Sequence, residues 1–430
     1  MACNRGFLCI SDEHELIFCE MPHEQKLEFA DWSLNKVELD SVITNVAFYS
    51  RTNSYVVAGI SPSPFHLPRE DEWHPEWAED YETATPGFLP TIDRCSIKLI
   101  SSISHSVFSK YEFEPDEQVL SMKCLNIEVS EQTQERRDMI VVGTGFTRGE
   151  NVVARGYLYL FDIVDIVPLP DIPETDLRLK LIAREDVKGA VTAISSIGTQ
   201  GFILASQGQK CMVRGLREDN CILPVAFMDL RYQVSVAKEL AGTGLTILGD
   251  AFAGMWLVGY SEEPYKMQLL GRDLANPPVL SAEFLPQGKD LFIVVSNDRG
   301  ILHTLQYDPE NPKSDRGQSL LLRSTFTTGY FPTHMQLLPR TPTPIESLVA
   351  ARDTDSDDGR AMQIDNSSYS KQQILMTTQE GAIVLVTSLS ENSYRRLSAL
   401  QTILTTQLEQ YCGLNPRAHR SVETDGVGGR

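Results

Sequence analysis

The sequence lacks long hydrophobic runs and the cysteine spacings of a metal site or a disulfide framework. No run approaches the ~20 consecutive apolar residues of a membrane-spanning helix, and no secretory signal opens the chain. The eight cysteines include no CxxC pair, and most of them lie in apolar runs. We therefore expect an intracellular protein with reduced core thiols and no membrane partner.

Recognisable catalytic and cofactor-binding motifs are also absent from the sequence. It contains no GxSxG nucleophile turn, no GxxxxGK[ST] phosphate loop and no HExxH zinc motif, and its histidines are scattered. Acid and base pairs that form only on folding leave no such trace. The prediction is a protein that is not an enzyme, with no cofactor and no metal ion.

One segment comes close to a nucleotide-binding motif, MIVVGTGFTRGE at Met139–Glu150. Gly143 and Gly145 match the first two glycines of GxGxxG, but Arg148 takes the place of the third. An apolar strand follows, where the motif needs a helix to hold the phosphates. We predict a strand that ends in a loop over residues 143–150, with Arg148 facing solvent or a partner.

Positive charge is scarce in this chain. Its 58 acidic and 38 basic residues give a net charge of −20, which repels the phosphates of nucleic acids at long range. The nearest approach to a basic group consists of Arg136, Arg137, Arg148 and Arg155. These four residues are the candidate site for an alternative function, direct contact with RNA.

Short β-type runs separated by Gly, Asn, Asp and Pro dominate the sequence. They fall into groups of four, and the later groups begin roughly 45 to 55 residues apart, the spacing of four-stranded propeller blades. The pattern predicts an all-β chain, a WD40-like β-propeller of about seven blades with incomplete closing blades. The groups begin near Val42, Gln118, Ala190, Tyr232, Val279 and Phe331.

The pattern changes near the end of the chain. We assign residues 1–388 to the propeller and 389–430 to the start of a truncated helical region, because apolar residues there recur every three or four positions. Within the propeller, 69–90 is an acidic loop, and the polar insert 352–371 is predicted to be disordered. The helical stripe comprises Tyr394, Leu397, Leu400, Leu404, Leu408 and Tyr411.

Two segments are candidate partner-binding sites. Trp73 and Trp77 lie four residues apart in the acidic loop, where bare indole rings would be costly in water. Glu262, Glu263 and Tyr265 belong to the turn SEEPYK. In both segments the side chains pack either on the chain itself or on a partner protein.

Longer stretches resemble one protein family. GMWLVGYSEEPYKMQLLGRDL, LQYDPENPKS and EGAIVLVTSLSENSYRRLSAL are similar to the C-terminal region of the large subunit of the cleavage and polyadenylation specificity factor in fungi. The resemblance covers nearly the whole chain. It implies the third of three linked propellers, followed by a helical domain that this chain only begins.

The resemblance also implies a role. Members of this family are nuclear, non-catalytic scaffolds that hold a WD-repeat subunit, a zinc-finger subunit and a nuclease module at the polyadenylation signal. Pre-mRNA would then be bound mainly through those partners. Two further branches of the superfamily, the damage-binding and splicing-factor adaptors, remain as alternatives.

Overall fold

The computed structural model describes residues 2–3, 6–10, 16–20, 36–64, 91–130, 132–147, 152–167, 176–273, 275, 277–339, 372–389 and 391–407. Several predictions fall outside this part of the chain. They concern Trp73, Trp77 and Arg148, and the insert 352–371.

The described residues are almost entirely β-strand and form seven sheets, in each of which strands pair in chain order. The first sheet contains β1 (Ala2–Cys3), β2 (Gly6–Ile10) and β3 (Leu16–Glu20). The second contains β4 (Val42–Tyr49), β5 (Ser54–Pro64), β6 (Thr91–Ser101) and β7 (Val107–Glu112). The third contains β8 (Glu117–Ser130), β9 (Glu135–Phe146), β10 (Gly156–Asp165) and β11 (Leu177–Val187).

The remaining sheets repeat this arrangement. The fourth contains β12 (Val191–Ile197), β13 (Phe202–Gln207), β14 (Lys210–Leu216) and β15 (Ile222–Asp229). The fifth contains β16 (Val234–Leu240), β17 (Leu245–Asp250), β18 (Gly254–Glu262) and β19 (Tyr265–Arg272). The sixth contains β20 (Ser281–Gln287), β21 (Asp290–Ser296), β22 (Ile301–Tyr307) and β23 (Leu321–Thr327). The seventh contains β24 (Pro332–Pro339), β25 (Gln372–Thr378) and β26 (Ile383–Thr387), and the helix α1 (Glu391–Gln407) follows.

The all-β prediction is confirmed, and the groups of strands begin where the sequence pattern put them. The second to the seventh sheets start within two residues of the predicted positions. Turn residues explain this agreement, since Gly, Asn and Asp adopt the positive φ angles that reverse the chain. Asn53 between β4 and β5 has φ 53°, for example, and Gly244 between β16 and β17 has φ 71°.

Two compact units contain these sheets. The larger unit comprises residues 39–284 and 307–321, and the smaller one comprises 1–38, 285–306 and 322–430. Within the larger unit the core lies between successive sheets. Ile97 packs with Ile140 and Phe161, and Ile127 packs with Ile194 further along the chain. Each such side chain contributes about 1.5–3 kcal/mol when it is fully buried.

Gly143 and Gly145 lie inside β9, so the prediction that the loop begins at Gly143 is wrong, while residues 148–150 of that loop lie outside the described part of the chain. A Cβ atom on Gly143 would stand 2.4 Å from Val191 Cγ1, and one on Gly145 would stand 2.9 Å from Ala190 Cβ. The next sheet therefore approaches the backbone of β9 too closely for any side chain. These glycines permit sheet packing, and the strand continues to Phe146.

Two smaller expectations concern the cysteines and the helix. Cys95 and Cys211 are buried, as expected for core thiols, but Cys221 is exposed because it lies just before β15. The helix α1 spans Glu391–Gln407. No helix in the described part of the chain is long and apolar enough to cross a membrane.

Candidate docking surface at the strand ends

The structure separates Arg155 from Arg136 and Arg137 in the predicted basic group. Arg136 and Arg137 lie at the start of β9, whereas Arg155 lies beside its end, where the Phe146 amide donates to the Arg155 carbonyl at 2.9 Å. At about 3.3 Å per residue, the nine steps from Arg137 to Phe146 span about 30 Å. Arg155 therefore belongs to a different surface, and Arg148 lies outside the described residues.

Neighbouring groups already engage these cations. Nη2 of Arg137 lies 2.8 Å from Glu135 Oε1, and this hydrogen-bonded pair raises the pKa of the guanidinium. Arg136 donates to the carbonyl oxygen of Thr199 in the next sheet. Arg155 stands 3.6 Å from Asp186, and both side chains are exposed. Exposed pairs of this kind contribute only about 0–1 kcal/mol.

A cavity of about 590 Å³ opens beside Arg136 and Arg137. Its lining includes a third cation, Arg51, from the turn after β4. Four carboxylates share it with the cations, so the cavity is mixed in charge rather than basic. They are Glu135, Asp138, Asp162 and Asp165.

Glu262 and Tyr265 flank the turn between β18 and β19 and contact the neighbouring sheet. The Glu262 carboxylate accepts hydrogen bonds from the Thr199 amide and from Thr199 Oγ1, the latter at 2.8 Å. The Tyr265 hydroxyl donates to Gln200 Oε1 at 3.0 Å. Tyr265 is still 48% exposed, and Glu263 is exposed as well. The turn therefore links two sheets by hydrogen bonds, while the Tyr265 ring stays about half exposed to solvent.

A further carboxylate holds the turn between β12 and β13, which contains Thr199. Glu239 in β16 accepts from Ser196 Oγ at 2.9 Å and from the Gly198 amide at 2.7 Å. Burial raises the pKa of Glu239, and the charge of Glu262 raises it further. Because polar side chains from the third and the fifth sheets fix the turn at Thr199, this end of the sheets is preorganised. We call the turns β8–β9, β12–β13 and β18–β19 the turn surface.

Sequence reasoning missed the buried charges that hold these sheets together. Nζ of Lys123 in β8 donates to the Ala237 carbonyl of β16 at 3.0 Å, and burial lowers its pKa to about 7. Nearby, Lys238 pairs with Glu283 at 3.1 Å. In the sequence, only the position of these charged residues within apolar runs indicates that they are buried. Their partners lie more than 40 residues away, so no local pattern shows the pairing.

The buried guanidinium of Arg214 in β14 was missed as well, because its charged partner Glu185 comes from a different sheet, 29 residues away in the chain. It lies 2.7 Å from Glu185 in β11 and also donates to Gln207 Oε1. Its side chain is 1% exposed. This pair ties the third sheet to the fourth. Among the described residues, no group of three or more His, Cys, Asp or Glu side chains could hold a metal ion.

Comparison with known proteins gives a consistent result. The family model described as the CPSF A subunit region matches residues 94–427. The protein cft1 of Aspergillus fumigatus is 49% identical over 99% of this chain, and CFT1 of Coccidioides immitis is 47% identical over all of it. The cft1 protein of Schizosaccharomyces pombe is 33% identical over 97%.

These relatives are much longer than the chain. It spans 30% of the Aspergillus fumigatus and Coccidioides immitis proteins and 27% of the Schizosaccharomyces pombe protein. The match of the family model nevertheless extends over well more than half of the 430 residues, and the chain belongs to the CPSF A subunit family.

Proposed function

We propose that this chain is a non-catalytic scaffold segment of the nuclear machinery that cleaves and polyadenylates pre-mRNA. Family membership is the observation that carries the proposal. We also infer that the four-stranded sheets are blades of a β-propeller, since each is a meander of consecutive strands of blade size. Partner proteins then dock on the loops and turns that rigid sheets hold in place.

The turn surface supports this role best. Its side chains are already fixed by hydrogen bonds between sheets, so this surface loses little conformational entropy when a partner binds. The exposed ring of Tyr265 beside Glu263 suits a protein contact, because tyrosine is enriched in interfaces. Trp73 and Trp77 remain proposed partner contacts on a separate segment.

Affinity purification tests the scaffold role. The tagged chain should recover cleavage and polyadenylation subunits from nuclear extract, namely the WD-repeat subunit, the zinc-finger subunit and the nuclease module. A Tyr265→Ala variant should recover less of at least one subunit, whereas Tyr232→Ala, at an equally exposed tyrosine outside the turn surface, should not. Recovery of ubiquitin-ligase or splicing subunits alone would instead assign the chain to another branch of the superfamily.

Direct RNA binding is the second candidate function. The observation in its favour is that Arg51, Arg136 and Arg137 line one cavity. Binding of polyadenylation-signal RNA, measured at 50 and 200 mM salt (about a fourfold change), should weaken as salt rises if phosphates are contacted. An Arg51→Gln, Arg137→Gln double variant should bind less, while Arg155→Gln, at the other strand end, should not. No binding by the intact chain at either salt concentration would exclude this function.

A further inference from the structure

In the described part of the chain, the seventh sheet has an open edge at β26. In the second to the sixth sheets a fourth strand follows the third, but β24, β25 and β26 are the only strands described in the seventh. After β26 the chain continues directly into α1. The outer edge of β26 therefore presents backbone groups with no neighbouring strand among the described residues.

An apolar groove runs along this edge. It has a volume of about 730 Å³ and lies within the smaller unit, between β26 and the sheet formed by β20–β23. Phe326 is 51% exposed on its wall although it is a large aromatic side chain. The apolar lining residues include Leu285, Phe292, Leu302, Phe326, Val384 and Val386.

The four-stranded sheets show which kind of segment would fit beside the third strand of a sheet. In the third sheet the fourth strand is β11, in which Leu177 and Leu179 are buried and the intervening Arg178 and Lys180 are exposed. Its backbone pairs with β10 from Asp165 to Gly156. A suitable occupant therefore has apolar side chains at alternate positions and a free backbone for pairing.

We propose that the edge of β26 and the adjoining groove bind an extended strand of another polypeptide. The strand completes the seventh sheet by backbone hydrogen bonds to β26 and places alternate apolar side chains in the groove, as in recognition by strand addition. Exposed apolar edges of this kind pair readily, and β26, with the sequence IVLVT, carries no charge to prevent it. The inference does not depend on the proposed role in pre-mRNA processing.

A peptide with the sequence of β11, LRLKLIAREDV, is the probe. Hydrogen exchange is measured in the intact chain for the β26 amides that point away from β25. The measurement is made without peptide, with the β11 peptide and with a scrambled peptide of the same composition. The β11 peptide should slow exchange in β26 by at least about tenfold, and the scrambled peptide should not. Phe326→Arg should abolish the protection. Phe252→Arg, which changes another exposed phenylalanine in the larger unit, should leave it intact.

Three results would overturn the proposal. If the outer amides of β26, those that point away from β25, exchange slowly in the monomeric chain alone, a segment of the same chain already occupies the edge. If they are protected only in a dimer, as shown by light scattering, the occupant is a second copy. If they exchange rapidly and the β11 peptide has no effect, the groove does not accept a strand.

Discussion

At the scale of single residues, the larger unit contains charges that its own apolar core disfavours. Lys123 is the clearest case, because its amine has one hydrogen-bond acceptor, the Ala237 carbonyl, and stands near a second lysine, Lys238. Glu283 offsets this repulsion only in part, since it is already paired with Lys238. The folded protein therefore holds the amine with a lowered pKa.

Replacing Lys123 by methionine should stabilise the protein. The pKa of the amine is about 7 in the folded chain, whereas its ordinary value, which applies to the unfolded chain, is 10.5. Below pH 7 the amine is therefore protonated in both states, and folding must bury a cation. That cost falls between pH 7 and 10.5, where only the unfolded chain stays protonated, and the wild type gains stability as pH rises. Urea unfolding should show a gain of about 1–3 kcal/mol for Lys123→Met at pH 6.

The gain should disappear toward pH 10.5. Lys289→Met, at an exposed position, is the control and should change stability little at any pH. A loss of stability in Lys123→Met at pH 6 would show that the hydrogen bond to Ala237 outweighs the cost of burial.

A second residue-scale prediction concerns Gly143. Alanine at this position should destabilise the chain by about 1–3 kcal/mol, because the added methyl group would overlap Val191 and force two sheets apart. Gly259→Ala is the matched control, since its nearest neighbour is the flexible end of Leu270 at 3.2 Å. Equal midpoints for the two variants in chemical denaturation would contradict this account.

At the scale of elements, buried polar ties supplement the apolar contacts between sheets. Arg214 and Glu185 link β14 to β11 with an almost fully buried guanidinium. Removing one partner of such a pair leaves an uncompensated charge, which is why its loss is costly even where the pair itself adds little.

Arg214→Met should lower the free energy of unfolding by about 3–5 kcal/mol. Arg217→Met removes a guanidinium from the end of the same strand, but its pair with Asp219 is exposed, so the cost should stay below about 1 kcal/mol. Both changes in the free energy of unfolding are measured by denaturant titration monitored by tryptophan fluorescence. Similar losses for the two variants would mean that burial of Arg214 does not matter.

At the scale of the whole molecule, the net charge of −20 opposes association with polyanions. The intact chain should therefore pass through a heparin column without retention at about 0.15 M salt, where fields are screened beyond about 8 Å. Retention that disappears in an Arg136→Gln, Arg137→Gln variant would instead reveal a local cationic surface at the turn surface. Arg155→Gln serves as the control.

The order of strands was predictable from the sequence, and the reason is local. Turn residues and alternating apolar positions act over two to nine residues, so the starts of six sheets could be predicted to within two positions. The glycines of β9 could not be interpreted in this way. They are explained by the close approach of Ala190 and Val191, at the start of the next sheet and some 45 residues further along the chain. A glycine that permits close packing cannot be told from one that makes a turn by its identity alone.

Less of the candidate site than of the strand order could be predicted from the sequence. The sequence identified Arg136 and Arg137, but it also grouped them with Arg155, which lies about 30 Å away along β9. It did not indicate that Arg51 lines the same cavity or that Glu262 holds Thr199.

By itself, then, the amino-acid sequence determined the strand content, the grouping of strands, the net charge and the family, since all of these depend on residues close together or on composition. Only the tertiary structure decided which charges are buried and paired, which glycines let sheets pack closely, and where a strand edge and its groove lack a neighbouring strand among the described residues. Those features arise from contacts between segments far apart in the chain, whose geometry no local pattern specifies.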